Sequence, residues 1–267
     1  MQRIGLLAGA GHLPAECAKA AVALGFEVYA VGLLDETEDE LESIATNYEK
    51  ISIGQLDALL RHLKDNDIKQ VTMIGKVTKE LLFNGKVQPD ASMLRLLMSL
   101  PNQSDDTVML AFIDELRKAG MEAFDQTKLI KALMPEKGVL TKREPTESEQ
   151  KDIEFGFKMA KELGRLDVGQ TVVVKNLAVM ALEAIEGTDA CILRGGELAK
   201  GDAVVVKVAK PEQDNRFDVP TVGLKTIESM VKVGAKTLAI EAKETLLVER
   251  EKVLVLAEAN GISIVAV

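Results

Sequence analysis

The 267-residue sequence contains two cysteines, two histidines and no tryptophan, and each shortage removes a class of chemistry. Cys17 and Cys191 lie far apart and form no spaced pair, so neither a disulfide framework nor a Cys-rich zinc site is indicated. A reducing cytoplasm fits such a chain best. With only His12 and His62, histidine-based zinc sites and His-dependent triads are poorly supplied. Any metal must therefore be held by carboxylate oxygens, which favours Mg2+ or Mn2+ over zinc. Surplus positive charge is also missing: 33 basic against 42 acidic residues leave a net charge of −9 and a pI near 5.0. Nucleic acid is not expected as the main partner, because phosphate-backbone binding needs a basic footprint. A local basic patch can still hold a small anion. Long apolar runs are lacking too. The opening "MQRIGLLAGAGHLP" is too short to span a bilayer and reads as strand, glycine turn and helix rather than as a signal peptide. A soluble chain that can still touch a membrane surface is expected.

What is present is apolar content of 47%, enough for a substantial core in two domains. The fold class expected is α/β throughout. Residues 1–134 alternate strands ("RIGLLAG", "EVYAVGL", "QVTMIGKV") with helices ("PAECAKAAVALG", "GQLDALLRHLKDND"), followed by helices over "SMLRLLMSL" and "DDTVMLAFIDELRKAG". That rhythm predicts a Rossmann-like parallel sheet with crossover helices. Residues 135–146, within "MPEKGVLTKREPTESEQ", are proline-rich and charged and read as a linker. Thr146 and Glu149 form a T-x-x-E capping box, so a helix begins there and opens a second α/β domain, 147–267. In that domain "QTVVVKN", "DACILRG", "AVVVKVA", "TLAIEA" and "ISIVAV" read as strands, with helices at about 177–186, 224–233 and 249–260.

Candidate chemistry lies in four places. Gly9 and Gly11 stand between a strand and a helix started by Pro14, where backbone amides and the helix dipole can cradle a pyrophosphate. Asp35 sits at the end of the second strand, as a ribose-binding acid would, but the third glycine of the dinucleotide fingerprint is absent. A tight turn that needs glycine explains the same letters. Lys76, in "MIGKV", ends the third strand where α/β ligand sites open and a lysine can pair with phosphate, though a lysine there is more often a solvated strand end. In "LDVGQTVVVK" and "EAIEGTDACILRG", Gln170, Gly187, Thr188 and Asp189 gather near turns, with Glu183 and Glu186 on one face if that stretch is helical. The fourth place is "VVVKVAKPEQDNRFDVPTVG". Pro220 biases Val219 to the extended region, so a straight segment would project Asp214, Arg216 and Asp218 from one side and Phe217 from the other. A carboxylate there can hold a metal or activate water, and the guanidinium a phosphate oxygen. An internal salt bridge on a surface loop would use the same residues.

In this order the glycine loop "IGLLAGAGHLP", "MIGKV", "LDVGQTVVVK", "ALEAIEGTDACILRG" and "VVVKVAKPEQDNRFDVPTVG" resemble the LpxI family along nearly the whole chain. The resemblance implies two α/β domains with the substrate in the cleft between them. It also implies metal-dependent hydrolysis of UDP-2,3-diacylglucosamine to UMP and 2,3-diacylglucosamine 1-phosphate (lipid X), in lipid A biosynthesis, with water attacking the sugar-side phosphorus. The family's QDxRxDxP segment places its catalytic aspartate at Asp218. With Mg2+ or Mn2+ held by Asp189, Asp214 and Asp218, the substrate would be met by Gly9, Gly11, Lys76, Gln170, Gly187, Thr188, Lys207, Arg216 and Thr221. A homodimer, cytoplasmic and peripheral at the inner membrane, is the family expectation. The chain departs from the family pattern at Leu224, where proline is usual, and at Lys243, where glycine is usual. Two other functions fit parts of the sequence: an NAD-type oxidoreductase using the N-terminal glycine loop, and a UDP-sugar lipid-binding protein without turnover.

Overall fold

A computed structural model describes residues 2–35, 37, 40–77, 87–102 and 105–267. The chain divides into two compact units, Met1–Ile130 with Asn215–Phe217, and Lys131–Asp214 with Asp218–Val267. Both are α/β.

In the first unit, strands β1 (Gln2–Ala8), β2 (Phe26–Gly32), β3 (Asn47–Lys50), β4 (Gln70–Ile74) and β5 (Glu122–Ala123) form a parallel sheet in the order β3-β2-β1-β4-β5. Its helices are α1 (Leu13–Ala23), α2 (Glu40–Ile44), α3 (Leu56–Asp65), α4 (Ala91–Ser99), α5 (Asp105–Lys118) and α6 (Thr127–Ile130). The near-continuous apolar run of β1 is what a strand covered on both faces requires, and Ile4 to Ala8 are buried. Strand order reverses between β1 and β4, the switch point at which ligands meet sheets of this kind. The core combines Leu7, Val31 and Val71 with Leu59 and Leu63 of α3, and Phe217 packs against it. On α4, Met93 and Leu96 join the core beside Leu56, while Leu94 and Met98 remain exposed. Only Met93 and Leu96 of this helix are thus core.

The second unit holds a six-stranded mixed sheet, β6-β13-β11-β9-β7-β8: β6 (Gly138–Val139), β7 (Thr171–Lys175), β8 (Ala178–Leu182), β9 (Val204–Lys207), β11 (Thr237–Ile240) and β13 (Ser263–Ala266). A short pair, β10 (Thr221–Val222) and β12 (Leu246–Leu247), stands beside it. The valines sort by parity, as the pleat demands. Val172, Val174, Val204 and Val206 pack with Ile153, Ala160 and Leu163 of α7 (Glu147–Arg165). Val173 and Val205 face α8 (Thr188–Ala199), α9 (Leu224–Val233) and α10 (Arg250–Ala259) through Ile192, Ile227 and Val253.

Two expectations in this unit are corrected. Residues 177–186 are not a helix: β8 runs antiparallel to β7. The chain turns back at Asn176 and Leu177, which both adopt left-handed backbone, φ 52 and 60. Positive φ at both central residues is the signature of a type I′ hairpin turn, which asparagine tolerates and leucine rarely adopts. Glu183 and Glu186 therefore do not share a helical face. The second correction is that "DACILRG" is not a strand but part of α8. Gly195 and Gly196 lie inside that helix. A Cβ at Gly195 would fall 2.5 Å from Val173, and one at Gly196 would fall 2.1 Å from Val233. Both glycines are there so that backbones can approach.

The capping box at α7 forms as expected. Thr146 Oγ1 accepts from the Glu149 amide, and the Glu149 carboxylate accepts from the Thr146 amide at 2.7 Å. Arg143 also donates to both Glu149 oxygens, at 2.7 and 2.9 Å. Burial opposes ionisation of Glu149, yet the Thr146 amide and the Arg143 guanidinium hold its carboxyl below the ordinary value of 4.5. A depressed carboxyl contributes stability above its unfolded pKa and loses it as pH falls through the folded one. Thr146→Ala should lower unfolding free energy by about 1 kcal/mol in urea titrations. Glu149→Gln should be destabilising near neutrality, with the difference from wild type vanishing in acid.

Candidate active site

The residues singled out in the second unit converge at the ends of β7 and β9 and at the start of α8. Lys207 is the last residue of β9, and its Nζ donates to Thr188 Oγ1 at 2.9 Å. Thr188 donates in turn to Glu183 Oε1 at 2.8 Å, and Glu183 Oε2 accepts the Gln170 amide at 3.3 Å. This chain runs lysine, hydroxyl, carboxylate, backbone. Gly169 permits it: a Cβ there would lie 2.3 Å from the Glu183 carbonyl oxygen. Gln170 Oε1 is buried and meets no donor among the described residues. Gly187, φ +81, caps α8 and turns the chain so that Thr188 and Asp189 open the helix.

Burial pushes the Lys207 ammonium below the ordinary lysine value of 10.5; the carboxylates of Glu183, Asp189 and Asp218 pull it back up. Those three acids thus act on one half-buried cation. Beyond β9, Lys210 Nζ lies 2.7 Å from Asp167 and 3.5 Å from Asp218 Oδ2. Gln213 braces the same segment, accepting the Lys210 amide at 2.8 Å and donating to the Asp218 carbonyl at 2.9 Å.

The segment carrying Asp214, Arg216 and Asp218 is not extended. The Asp218 amide donates to the Asp214 carbonyl at 2.9 Å, closing a single helical turn. Pro220 straightens only its own predecessor, so the two-residue spacing no longer sets the directions of these side chains. Asp218 belongs with Lys207 and Lys210. Arg216 groups with the first unit, as does Phe217, which serves there as an apolar anchor. Thr221 opens β10, and its hydroxyl donates to the Val219 carbonyl at 3.0 Å.

In the first unit, Gly9, Gly11 and Lys76 meet at the switch point. Ala10 and Lys76 exchange two backbone hydrogen bonds, each of 2.9 Å, and the Gly9 amide donates to Ile74. A Cβ on Gly9 would fall 2.7 Å from the Lys76 carbonyl oxygen, so this glycine is required for close approach. The amides of Gly9 and Ala10 are engaged within the protein. Gly11, φ +95, faces open space. Asp35 lies exposed in the turn after β2.

No group of three or more His, Cys, Asp or Glu gathers at metal-binding distance among the described residues. Asp189, Asp214 and Asp218 therefore make no all-protein metal cage. Mg2+ does not require one, since it is held by one or two carboxylates together with water and substrate phosphates. Cys17 and Cys191 are free and buried, and burial raises each thiol to about 12, so neither is a thiolate at neutral pH.

The model of the LpxI N-terminal domain matches residues 3–133, and that of the LpxI C-terminal domain residues 136–265. The chain belongs to the LpxI family. A relative from Caulobacter vibrioides, UDP-2,3-diacylglucosamine pyrophosphatase LpxI, is 31% identical and covers 100% of this chain and 98% of its own. Among solved structures, UDP-glucose 4-epimerase of Thermotoga maritima aligns with a TM-score of 0.31 and 14% identity over 45% of this chain and 35% of that one. The enzyme WbmH of Bordetella bronchiseptica gives 0.32 and 11% over 55% and 46%. Likenesses at that level carry no functional weight.

Sequence reasoning did not place Lys210 or Asp167 at the site, and it set Glu183 on a helix rather than beside Thr188. At Leu224 and Lys243, where the resemblance implies proline and glycine, the backbone would suit those residues. Leu224 is the first residue of α9, where proline's fixed φ suits the helix. Lys243 has φ 63, a conformation that favours glycine.

The half-buried cation yields a prediction. NMR titration of the lysine side chains should find Lys207 losing its proton below 10.5, and Glu183→Gln should lower that value further by removing a facing negative charge. A Lys207 signal that titrates at or above 10.5 would contradict the arrangement.

Proposed function

We propose that the protein hydrolyses the pyrophosphate of UDP-2,3-diacylglucosamine, releasing UMP and 2,3-diacylglucosamine 1-phosphate, in the synthesis of lipid A. Family membership supports the substrate class. The observation that carries the chemistry is the half-buried Lys207, held by Thr188 and attracted by the charges of Glu183, Asp189 and Asp218. A pyrophosphate needs cations for its non-bridging oxygens, and an acid–cation cluster free of histidine and cysteine supplies them.

Hydrolysis forms one bond from a water oxygen to phosphorus and breaks one bridging P–O bond. Lys207 and Lys210 hold the phosphoryl oxygens, with the amides at the start of α8 adding their dipole. Asp218 orients the water and takes its proton. Gln170 Oε1 is left to accept from a substrate hydroxyl. Bound Mg2+, held by Asp218 and phosphate oxygens with Asp189 or Asp214 in support, would supply charge neutralisation. Thr221 of the same unit completes the proposed substrate contacts there, and Gly9, Gly11 and Lys76 are proposed as substrate contacts of the first unit, with Arg216. A diacylated substrate resides in the bilayer, so the protein would work peripherally, as a homodimer, at the inner face of the inner membrane. None of the described helices is long and apolar enough to cross it.

The redox reading loses its support at the glycine loop, where the amides of Gly9 and Ala10 are already engaged. The test is UMP release from UDP-2,3-diacylglucosamine, with Mg2+ and with EDTA, by wild type and by Asp218→Ala. Turnover should require the metal and fall by at least about a hundredfold in the variant. Full activity in Asp218→Ala would transfer the role to Asp189 or Asp214. Substrate binding without turnover under any divalent ion would leave a binding protein.

A further inference from the structure

The chain leaving β9 is tied down residue by residue. The Lys207 carbonyl accepts from the Glu241 amide at 3.2 Å, continuing the β9–β11 ladder, and the Val208 amide donates to Gln170 at 3.1 Å. At Ala209 the ladder has ended, yet both backbone groups are satisfied. Its amide donates to Glu241 Oε2 at 2.8 Å, and its carbonyl accepts from Lys161 Nζ at 2.9 Å. Lys161 also donates to both Glu241 oxygens, at 3.0 and 3.1 Å. Two side chains thus build one more rung: a carboxylate replaces the missing strand carbonyl and an ammonium the missing amide. Lys161 comes from α7. One turn further along that helix, Gly164 lets Lys210 and Pro211 lie against it, since a Cβ there would already be 3.3 Å from the Lys210 Cα.

We propose that Lys161 and Glu241 are positioning residues for the reaction: by pinning the backbone at Ala209 they fix Lys210, and through Gln213 the main chain at Asp218, in their working places. The proposal rests on the hydrolase reading above. The pair bonds to itself and to the main chain at Ala209, so its effect on Lys210 and Asp218 passes through the backbone. The pair is half-buried, with side-chain exposures of 29% and 17%, and is thereby less screened than a surface ion pair. Displacement of a catalytic group by about 1 Å can cost on the order of a hundredfold in rate.

The experiment compares wild type, Lys161→Met, Lys161→Arg and Glu241→Gln in steady-state UMP release, with hydrogen exchange of the full-length proteins measured in parallel. Lys161→Met and Glu241→Gln should lower kcat by about tenfold to a hundredfold with little change in KM, because the loss is in alignment rather than in substrate contact. Lys161→Arg should recover most of the rate. Peptides covering 208–218 should exchange faster in Lys161→Met while those of β7 and β11 do not. An unchanged kcat in folded Lys161→Met or Glu241→Gln overturns the proposal, as does a loss confined to KM. Should Lys161→Met fail to fold, Glu241→Gln and Lys161→Arg make the same comparison. If wild type itself releases no UMP, the hydrolase reading fails instead. The exchange result then decides whether the pair holds this segment, and unaltered exchange at 208–218 rejects it.

Discussion

Lys207 places a half-buried positive charge at the end of a strand otherwise made of valine, and the second unit is arranged around the consequences. An ammonium cannot be buried alone, because desolvation would drive off its proton. Here that tendency is opposed by a hydroxyl in direct contact and by three carboxylates facing it. They come from three places in the chain: Glu183 follows β8, Thr188 and Asp189 open α8, and Asp218 ends the turn after β9. Several sheet and helix termini must therefore meet at one point before the charge is tolerable. The folding of the unit and the assembly of its acids are one requirement.

That requirement explains features that look unrelated in the sequence. The hairpin of β7 and β8 accepts left-handed backbone at Asn176 and Leu177, and its return strand leads into Glu183. Gly169 has no side chain because the Glu183 backbone passes within contact distance. Gly195 and Gly196 draw α8 against β7 and α9, in the same helix whose first residue holds Lys207. Small residues and a strained turn are the structural cost of bringing a helix start to a strand end.

Much of the fold could be read from the chain because its signals were local and redundant. The valine runs of β7 and β9, the capping box at Thr146 and the terminal strand "ISIVAV" each carry their own evidence. Two stretches could not be read in the same way, for identifiable reasons. "LAVMALEAIE" is rich in good helix formers, and only the reversal at Asn176–Leu177, with leucine where asparagine or glycine is usual, makes it a strand. "DACILRGG" carries a glycine pair that looks like a terminator, whereas its function is close packing, visible only once Val173 and Val233 are in place. At the site, the residue types were legible and their directions were not. The alternation of Asp214, Arg216 and Asp218 presumed an extended chain, and a single hydrogen bond from Asp218 to Asp214 turns it into a helical loop.

The same bond bears on how the chemistry could be organised. In an extended segment, three charged side chains would act as one face. In a turn, the residues between Asp214 and Asp218 are released from that face, and Arg216 and Phe217 group with the first unit while the two aspartates group with the second. Proline at 220 then returns the chain to β10, where Thr221 pairs with Leu246. The turn is thus fixed at its exit by the β10–β12 pair and at its entrance by the side-chain rung on Ala209. Between these anchors no regular ladder supports it, so the placement of Asp218 depends on Gln213, on Lys210 and on how firmly the two ends are held. An aspartate in a loop can be as well aligned as one on a strand, provided that the backbone on either side is fixed by bonds as short as those of a sheet.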